Sequence, residues 1–536
     1  MSGEGEEISG NAYLAPLYYD NSTTQYFGIT ATSWSVTPNG CAWTFNWRTD
    51  IYYTNGDPFN AYVVWWGVYR AFFVEQGVSF FAGILFNGSG VTLGDVNSFN
   101  TATNVPTNST LLSIMQQGNA VQVVNASETI FHLTSPCYVA NFLGLVAAGY
   151  MFDFVDPYYV EQHGGVQLNT ANSWMSIHGS DDGDGPYIVS QYTPEEDAVL
   201  IANPHYWAQN LANPNYFERP ARIPEVIENF KTNPLTRDLD LDSGKVNIAV
   251  IQFPDISTVL SSNSTLYIPN WGPGGTVEFL GLDTEKAPLS NILVRRAIIA
   301  AINLTAVRQV SYDGYITPVV GPGLHGFAGY NDSIQPPAYN VTLAKQLLVQ
   351  AGYPNGNGLP SLVFDIVSGS YMLTGGQVIV SDLAAIGITV NLNVKSEASL
   401  IAAEGSCCGN ASSYPDIQLQ STTNYPDFSG YAYTVDQQDG AYFFFNNQTI
   451  HSLLVQISSD NNATGDRNHL ISEATLEIQQ QAPVIWLGQD NDLPQTGNGV
   501  GPVIFQNCLQ GDPGFFRNQY YWVYQGIPYT TLQWIC

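Results

Sequence analysis

The chain is 536 residues long, with 15 Lys and Arg against 45 Asp and Glu, a formal net charge of −30 and only 11% charged residues. That length holds two or three domains with buried cores. A surface this acidic excludes nucleic acid and anionic lipid as partners, because both carry charge of the same sign.

Residues 1–10, MSGEGEEISG, are polar and acidic and are expected to be disordered; they lack the basic-then-apolar pattern of an export leader. From Asn11 to Tyr53, aromatic and β-branched residues predict strands broken by a Pro38-Asn39-Gly40 turn. Thr54 to Phe73 predicts a turn and then a helix starting near Pro58, and residues 87–110 are loop-like in composition. Val121 to Leu133 and the apolar stretch Ala140 to Phe154 belong to one compact unit. Residues 181–207 predict a glycine turn and a hairpin, Val226 to Phe230 a strand, and residues 237–250 a helix, turn and strand. Val277 to Leu282 predicts another strand. After a polar connection, Leu293, Ala297, Ala300, Ala301 and Leu304 recur at helical spacing, closed by Asp313-Gly314. Val341 to Gln350 predicts a helix ending at Gly352. Strands over Leu362–Val367 and Ile388–Val394 flank a helix across Gly376–Ile386, and a strand follows at 483–488. Alternating strands and helices indicate an α/β domain over about 271–485. No run of 18 or more apolar residues offers a membrane span.

Sequons begin at Asn21, Asn87, Asn108, Asn125, Asn263, Asn303, Asn331, Asn340, Asn410, Asn447 and Asn462, a spread that favours an exported, glycosylated protein. The scarcity of basic groups suits an acid environment, because carboxylates neutralise as pH falls and little positive charge remains to repel itself. Compositional drift is the plainer alternative. Six cysteines (Cys41, Cys137, Cys407, Cys408, Cys508, Cys536) lack zinc-site spacing and allow fifteen disulfide pairings, none selected by sequence.

Sequence motifs for catalysis, metal binding and cofactors are absent. The seven histidines show no ligand spacing, no Ser sits in a G-x-S-x-G elbow and no phosphate loop occurs. Asp181, Asp182 and Asp184 with Gly183 and Gly185 lack the register of a calcium loop and read as a hairpin turn. Asp238, Asp240 and Asp242 read as a solvated helix start. Arg295-Arg296 are conspicuous in so acidic a chain; they read as an anion site or, more plainly, as an ion pair or cap tying their helix to the first domain. Most aromatics must be core. Tyr13, Trp174, Trp271, Tyr425, Phe428 and Tyr431 are the candidates to face a cleft and stack on ligand.

Several blocks recur in a familiar order. Ser33 to Gly40 with Trp43 to Arg48 resembles "sW-v-pDG-tytF-LR"; Thr54 to Tyr69 resembles "f-DGtp-nA-DVv-s"; Thr129 to Leu133 resembles "tv-f-L". Gly183 to Tyr187 through Asn203-Pro204-His205-Tyr206-Trp207 resembles "GTGPY … rNpnYW", and Leu241 to Ala249 resembles "l-sGevDia". Leu280 to Gly329 resembles "N-…-Pf-d-rVRqAi-yAid" and its continuation. These are blocks of extracellular solute-binding family 5, the large substrate-binding proteins of ABC importers for oligopeptides, nickel and oligosaccharides, and the chain resembles that family over nearly its whole length.

The resemblance implies an α/β, two-lobed, periplasmic-binding-protein-like fold (type II, cluster C) with an inserted domain and a two-strand hinge near 277–282 and 483–487. Domain I would comprise 1–40, 175–270 and 486–536, domain II 41–174, and domain III 271–485. It also implies a monomeric, non-catalytic, extracellular receptor at the cell surface that captures an oligopeptide between lobes and delivers it to an ABC permease. An oligosaccharide is the alternative ligand. From other classes, a secreted acid hydrolase would need a close pair of carboxylates in its cleft, one with a raised pKa, and a surface-layer protein would polymerise. Three departures stand out. Matching begins only near Asn11-Ala12-Tyr13, so the leader and first strand expected of the family would lie upstream or be removed; Asn303 stands where the family usually has Asp, and Asn424-Tyr425-Pro426-Asp427 replaces its "D-Y-p-D-p" block. The first Asp of that block anchors the peptide amino terminus in peptide binders; Asn424 lacks the charge, leaving Asp427 as the nearby substitute.

Overall fold

The computed structural model describes residues 3–20, 23, 25–75, 80–134, 137, 139–148, 150–212, 214–215, 218–231, 233–267, 273–367, 371–396, 399, 414–423, 427–432, 434–436, 445–460, 466–491, 503–506, 509–511 and 532–534. The chain divides into two compact units. The first is Met1–Leu239 with Ser458–Asn461 and Phe505–Cys536; the second is Asp240–Ile457 with Asn462–Ile504.

In the first unit, strands Ala31–Val36, Ala42–Trp47, Glu128–His132 and Val121–Asn125 form an antiparallel sheet in that order. The Pro38-Asn39-Gly40 turn falls where expected, with Gly40 at φ 75° and the Thr37 amide bonded to the Ala42 carbonyl. Alternation along Ala42–Trp47 sends Trp43, Phe45 and Trp47 inward. Phe45 stacks on Trp47 at 5.5 Å and meets Phe131 edge-on at 5.3 Å. Much of the aromatic excess is therefore core. Helix Ala61–Val74 starts at Asn60, whose side chain accepts from the Tyr62 and Val63 amides, and it buries Trp65 and Trp66. Strands Tyr187–Thr193, Asp197–Ala202 and Glu225–Asn229 make a second antiparallel sheet.

The amino-terminal residues depart from expectation. Gly3–Ala12 is a helix rather than disordered chain, because Ile8, Asn11 and Ala12 are buried against the body of the unit. Tertiary burial overrides a composition that favours solvent.

Cys41 and Cys137 form a disulfide across 96 residues; the other four cysteines lie outside the described residues. Closing so long a loop restricts the unfolded chain and contributes about 4–5 kcal/mol. Replacing both cysteines by Ser should lower the unfolding free energy by about that amount in denaturant titrations. An unchanged midpoint would contradict it.

The second unit carries a six-stranded mixed sheet. Its order is Ile316–Thr317, Val484–Asn491, Pro273–Leu282, Ile417–Thr423, Leu362–Val367, Val390–Lys395. Pro273–Leu282 is antiparallel to both neighbours, whereas Leu362–Val367 is parallel to both of its own. The parallel pair is joined by helix Met372–Ala384, the βαβ unit that alternation predicts. Leu280, Leu282, Ile298, Phe364, Ile417 and Ile485 share one core with Leu241, Ile251 and Phe253.

The helix expected from Leu293 to Leu304 is two helices, Ile292–Ala301 and Leu304–Tyr312. Asn303 breaks the run: its side chain caps the Ala306 amide and its own amide goes to Asp382. The family's Asp would cap in the same way, so this departure leaves the cap in place. Arg295 and Arg296 hold no anion among the described groups. They donate to the Leu289, Gln480, Gln481 and Ala482 carbonyls, closing the carboxy-terminal end of helix Arg467–Gln481. The tie runs within the second unit, not to the first. Burial, with Arg296 adding to it, brings Arg295 down to about 10.

Candidate ligand-binding site

The site residues named from sequence fall in two groups, one in each unit. In the first unit the group is built on Asp181–Tyr187. This segment is not the turn of the hairpin, which closes later at Glu195 (φ 64°). It is a clasp around the end of the amino-terminal helix. The Gly185 amide donates to the Ala12 carbonyl at 2.8 Å, and a Cβ on Gly183 would lie 2.0 Å from that same oxygen. Only glycine permits that approach. Asp184 accepts the Leu14 amide at 2.9 Å and Asp182 accepts the Asn55 amide at 2.8 Å.

The Asn55 side chain donates in turn to Asp57 at 3.1 Å and Asp156 at 2.7 Å, so carboxyl groups from three loops meet. Burial, with Asp156 beside it, pushes Asp182 up to about 8 and Asp57 up to about 6. Burial alone pushes Asp184 up to about 7. Here are close carboxylates with raised pKa values, as an acid hydrolase would need. Asp182 and Asp57 are 2% and 8% exposed, and Asp182 is bonded to backbone. Among the described residues no group of three or more His, Cys, Asp or Glu is arranged to hold a metal ion.

Tyr13 is buried at this clasp, its hydroxyl donated to the Gly179 and Asp182 carbonyls. Burial and the nearby Asp182 and Asp184 raise its pKa well above the usual value. Trp174 is half-buried in a stack of its own. The His163 ring lies parallel to it at 3.6 Å, His178 tilts against it at 4.7 Å and Tyr159 meets it edge-on at 5.5 Å. His178 is held by Asp181 at 3.0 Å, which ties the stack to the clasp.

In the second unit the group follows strand Ile417–Thr423. Asp427 is buried and accepts from the Ser429 amide at 2.9 Å and from Arg467 at 2.6 Å. Its charge is matched inside the unit, so it is not poised to replace the carboxylate missing at Asn424. Phe428 and Tyr431, on helix Phe428–Ala432, are also buried; the Tyr431 hydroxyl goes to the Gly275 carbonyl and its ring lies 5.3 Å from Phe327. Phe428 lines a small cavity of about 10 Å³ with Val320, Tyr330, Asn331, Ile471 and Ser472. That is far below the roughly 300–1,000 Å³ of small-molecule sites and holds no more than a water-sized group. Trp271, Asn424 and Tyr425 lie outside the described residues.

Sequence reasoning missed Asn55, Asp57, Asp156, His163 and Arg467. The Asn55-Gly56-Asp57-Pro58 turn is the one signal available for the first two; nothing local marks the other three.

A profile of the bacterial extracellular solute-binding proteins, family 5 Middle, matches residues 26–446. The heme-binding protein A of Haemophilus influenzae is 26% identical over 212 residues, 39% of this chain and 37% of that protein. The nickel-binding periplasmic protein of Escherichia coli is 25% identical over 394 residues, 69% of this chain and 64% of that protein. The di/tripeptide-binding protein 2 of Pseudomonas aeruginosa is 29% identical over 233 residues, 42% of this chain and 41% of that protein. The matched parts thus span less than two thirds of each relative. In fold, the periplasmic binding protein DppA from Helicobacter pylori, solved with the peptide STSA, is similar over 100% of this chain and 94% of its own, with TM-score 0.70 and 19% identity. NikA from Brucella suis, solved with Fe(III)-EDTA, is similar over 99% and 95%, with TM-score 0.72 and 16% identity. The two-lobed α/β fold class expected from the sequence blocks is borne out. With the profile covering most of its length, this chain belongs to the bacterial extracellular solute-binding proteins, family 5.

Proposed function

We propose that the chain is the exported, non-catalytic receptor of an ABC importer, capturing an oligopeptide and delivering it to a membrane permease. The observation that carries this reading is family membership across residues 26–446. Peptide is the first ligand class because peptide binders stand among both the sequence relatives and the fold neighbours. Capture by lobes that close needs no covalent chemistry. A ligand that makes more contacts in the closed state shifts the population toward it. The division into domains I, II and III belongs to this proposal, as does a monomeric receptor at the cell surface. No helix among the described residues is long and apolar enough to cross a membrane.

Trp174 is half-buried where the other described candidates are buried, and we assign it to ligand contact. Tyr13, Asp427, Phe428 and Tyr431 shape their surroundings from behind. Trp174→Ala should weaken binding about tenfold, roughly 1.4 kcal/mol, as read by calorimetry. Unchanged affinity would remove Trp174 from the site. One observation favours the second reading, an oligosaccharide: the Asp427 carboxylate is already engaged by Arg467, which leaves it unsuited to hold a peptide amino group. Titration calorimetry with peptide and glycan panels separates the two. Tight peptide binding is expected; tight sugar binding with no peptide signal overturns it.

A further inference from the structure

We propose that Asn87, Asn108 and Asn340 carry N-linked glycans. The inference rests on the exported reading above, since the sugar donor and its transferase act outside the cytosol. Eleven sequons are about twice what the chain's own Asn, Ser and Thr content yields by chance. The fold sorts them. The buried asparagines of the described residues, Asn11, Asn60, Asn104 and Asn203, carry no sequon, whereas every described sequon asparagine reaches solvent.

The bonds of each amide sort them further. Asn87, Asn108 and Asn340 are exposed and use only their side-chain oxygen: Asn87 accepts from the Ser89 amide at 3.0 Å, Asn108 from Thr110 at 2.9 Å and Asn340 from Leu343 at 2.9 Å. Among the described residues no protein group takes their Nδ2. By contrast, Nδ2 is donated to Glu128 from Asn125, to the Asp242 carbonyl from Asn263 and to Ser472 from Asn331. Asn303 and Asn447 are half-buried caps of the helices that follow them.

The chemistry fits that split. Nδ2 attacks C1 of a sugar carried on a polyisoprenyl phosphate or diphosphate; the C1–O bond to phosphate breaks as the C1–N bond forms. The amide loses one proton and the lipid phosphate leaves. Oδ1 is untouched, so Asn108 and Asn340 keep capping helices Ser109–Gln117 and Val341–Gln350 after modification. On a surface with so few charged groups, glycans would also supply hydration that ionised side chains do not.

The test is glycopeptide mass spectrometry of the chain purified from cells that make it, with cytosol and exterior fractions kept apart. The expected result is a sugar mass on Asn87, Asn108 and Asn340, each lost in turn in Ser89→Ala, Thr110→Ala and Thr342→Ala. Those variants remove the sequon and keep the asparagine. Chain outside the cytosol with these three sites bare overturns this proposal alone. Sugar on Asn263 and Asn331 instead overturns the sorting by amide bonding. Chain found only in the cytosol overturns the exported reading as well.

Discussion

Arg467→Met is expected to destabilise the second unit by about 3–5 kcal/mol, because it leaves the Asp427 carboxylate buried without its partner. The pair is closed to water, with side chains 6% and 9% exposed and 2.6 Å apart. Asp427 also accepts from Ser429, while Arg467 donates to the Ile457 carbonyl. The pair therefore joins the start of helix Phe428–Ala432 to the start of helix Arg467–Gln481. Phe428 and Ile471, one from each helix, line the same pocket, so the loss should loosen that pocket too. Chemical denaturation reads the stability. Adding Asp427→Asn should recover most of the loss, because the amide keeps an oxygen for Ser429 and no charge is stranded. A single variant that loses less than about 1 kcal/mol would show the pair to be no more than a surface ion pair.

The second large effect is on pH. Asp182 and Asp184 hold their protons more tightly folded, at about 8 and about 7, than in the unfolded chain near 3.8. The folded state then binds more protons between these values, and stability falls as pH rises. Their contribution is complete below about pH 4 and gone above about pH 8. A carboxyl lifted from 3.8 to about 7 makes the fold lose roughly 4 kcal/mol between pH 4 and 7. Asp57, at about 6, acts in the same sense. Asp156 faces Asp57 and Asp182 across Asn55, Tyr13 and Tyr53 face them as neutral hydroxyls, and the cationic groups at the clasp, Arg70 and His178, act on Tyr13 and Asp181. Thermal unfolding is expected about 10 °C higher at pH 4–5 than at pH 8. Asp184→Asn keeps the oxygen that accepts the Leu14 amide and should flatten the curve. A midpoint that rises with pH would contradict both the shifts and the acid environment suggested by composition.

What local pattern encodes is legible in the sequence. Val341–Gln350 and Leu362–Val367 match expectation residue for residue, because hydrophobic period and flanking breakers suffice there. The Gly3–Ala12 helix is not legible, since its acidic composition argues for solvent and only burial of Ile8 and Ala12 holds it. The aspartates of the clasp are visible as a motif, but their burial is not. It depends on Asn55, which is 127 residues from Asp182, and on Leu14, which is 170 residues from Asp184. Likewise nothing near Asp427 announces Arg467, 40 residues away, so a carboxylate read as free for ligand is an internal ion pair. Arg295 and Arg296 look like an anion site for the same reason: the helix end they close lies more than 180 residues on.

Native mass spectrometry of the purified chain, incubated with a pooled peptide library, tests the receptor reading most directly. A carrier predicts one peptide per chain, released intact when the complex is dissociated, with the free library unchanged after prolonged incubation. Cleaved peptides would contradict it, and no bound peptide at all would contradict peptide as its ligand.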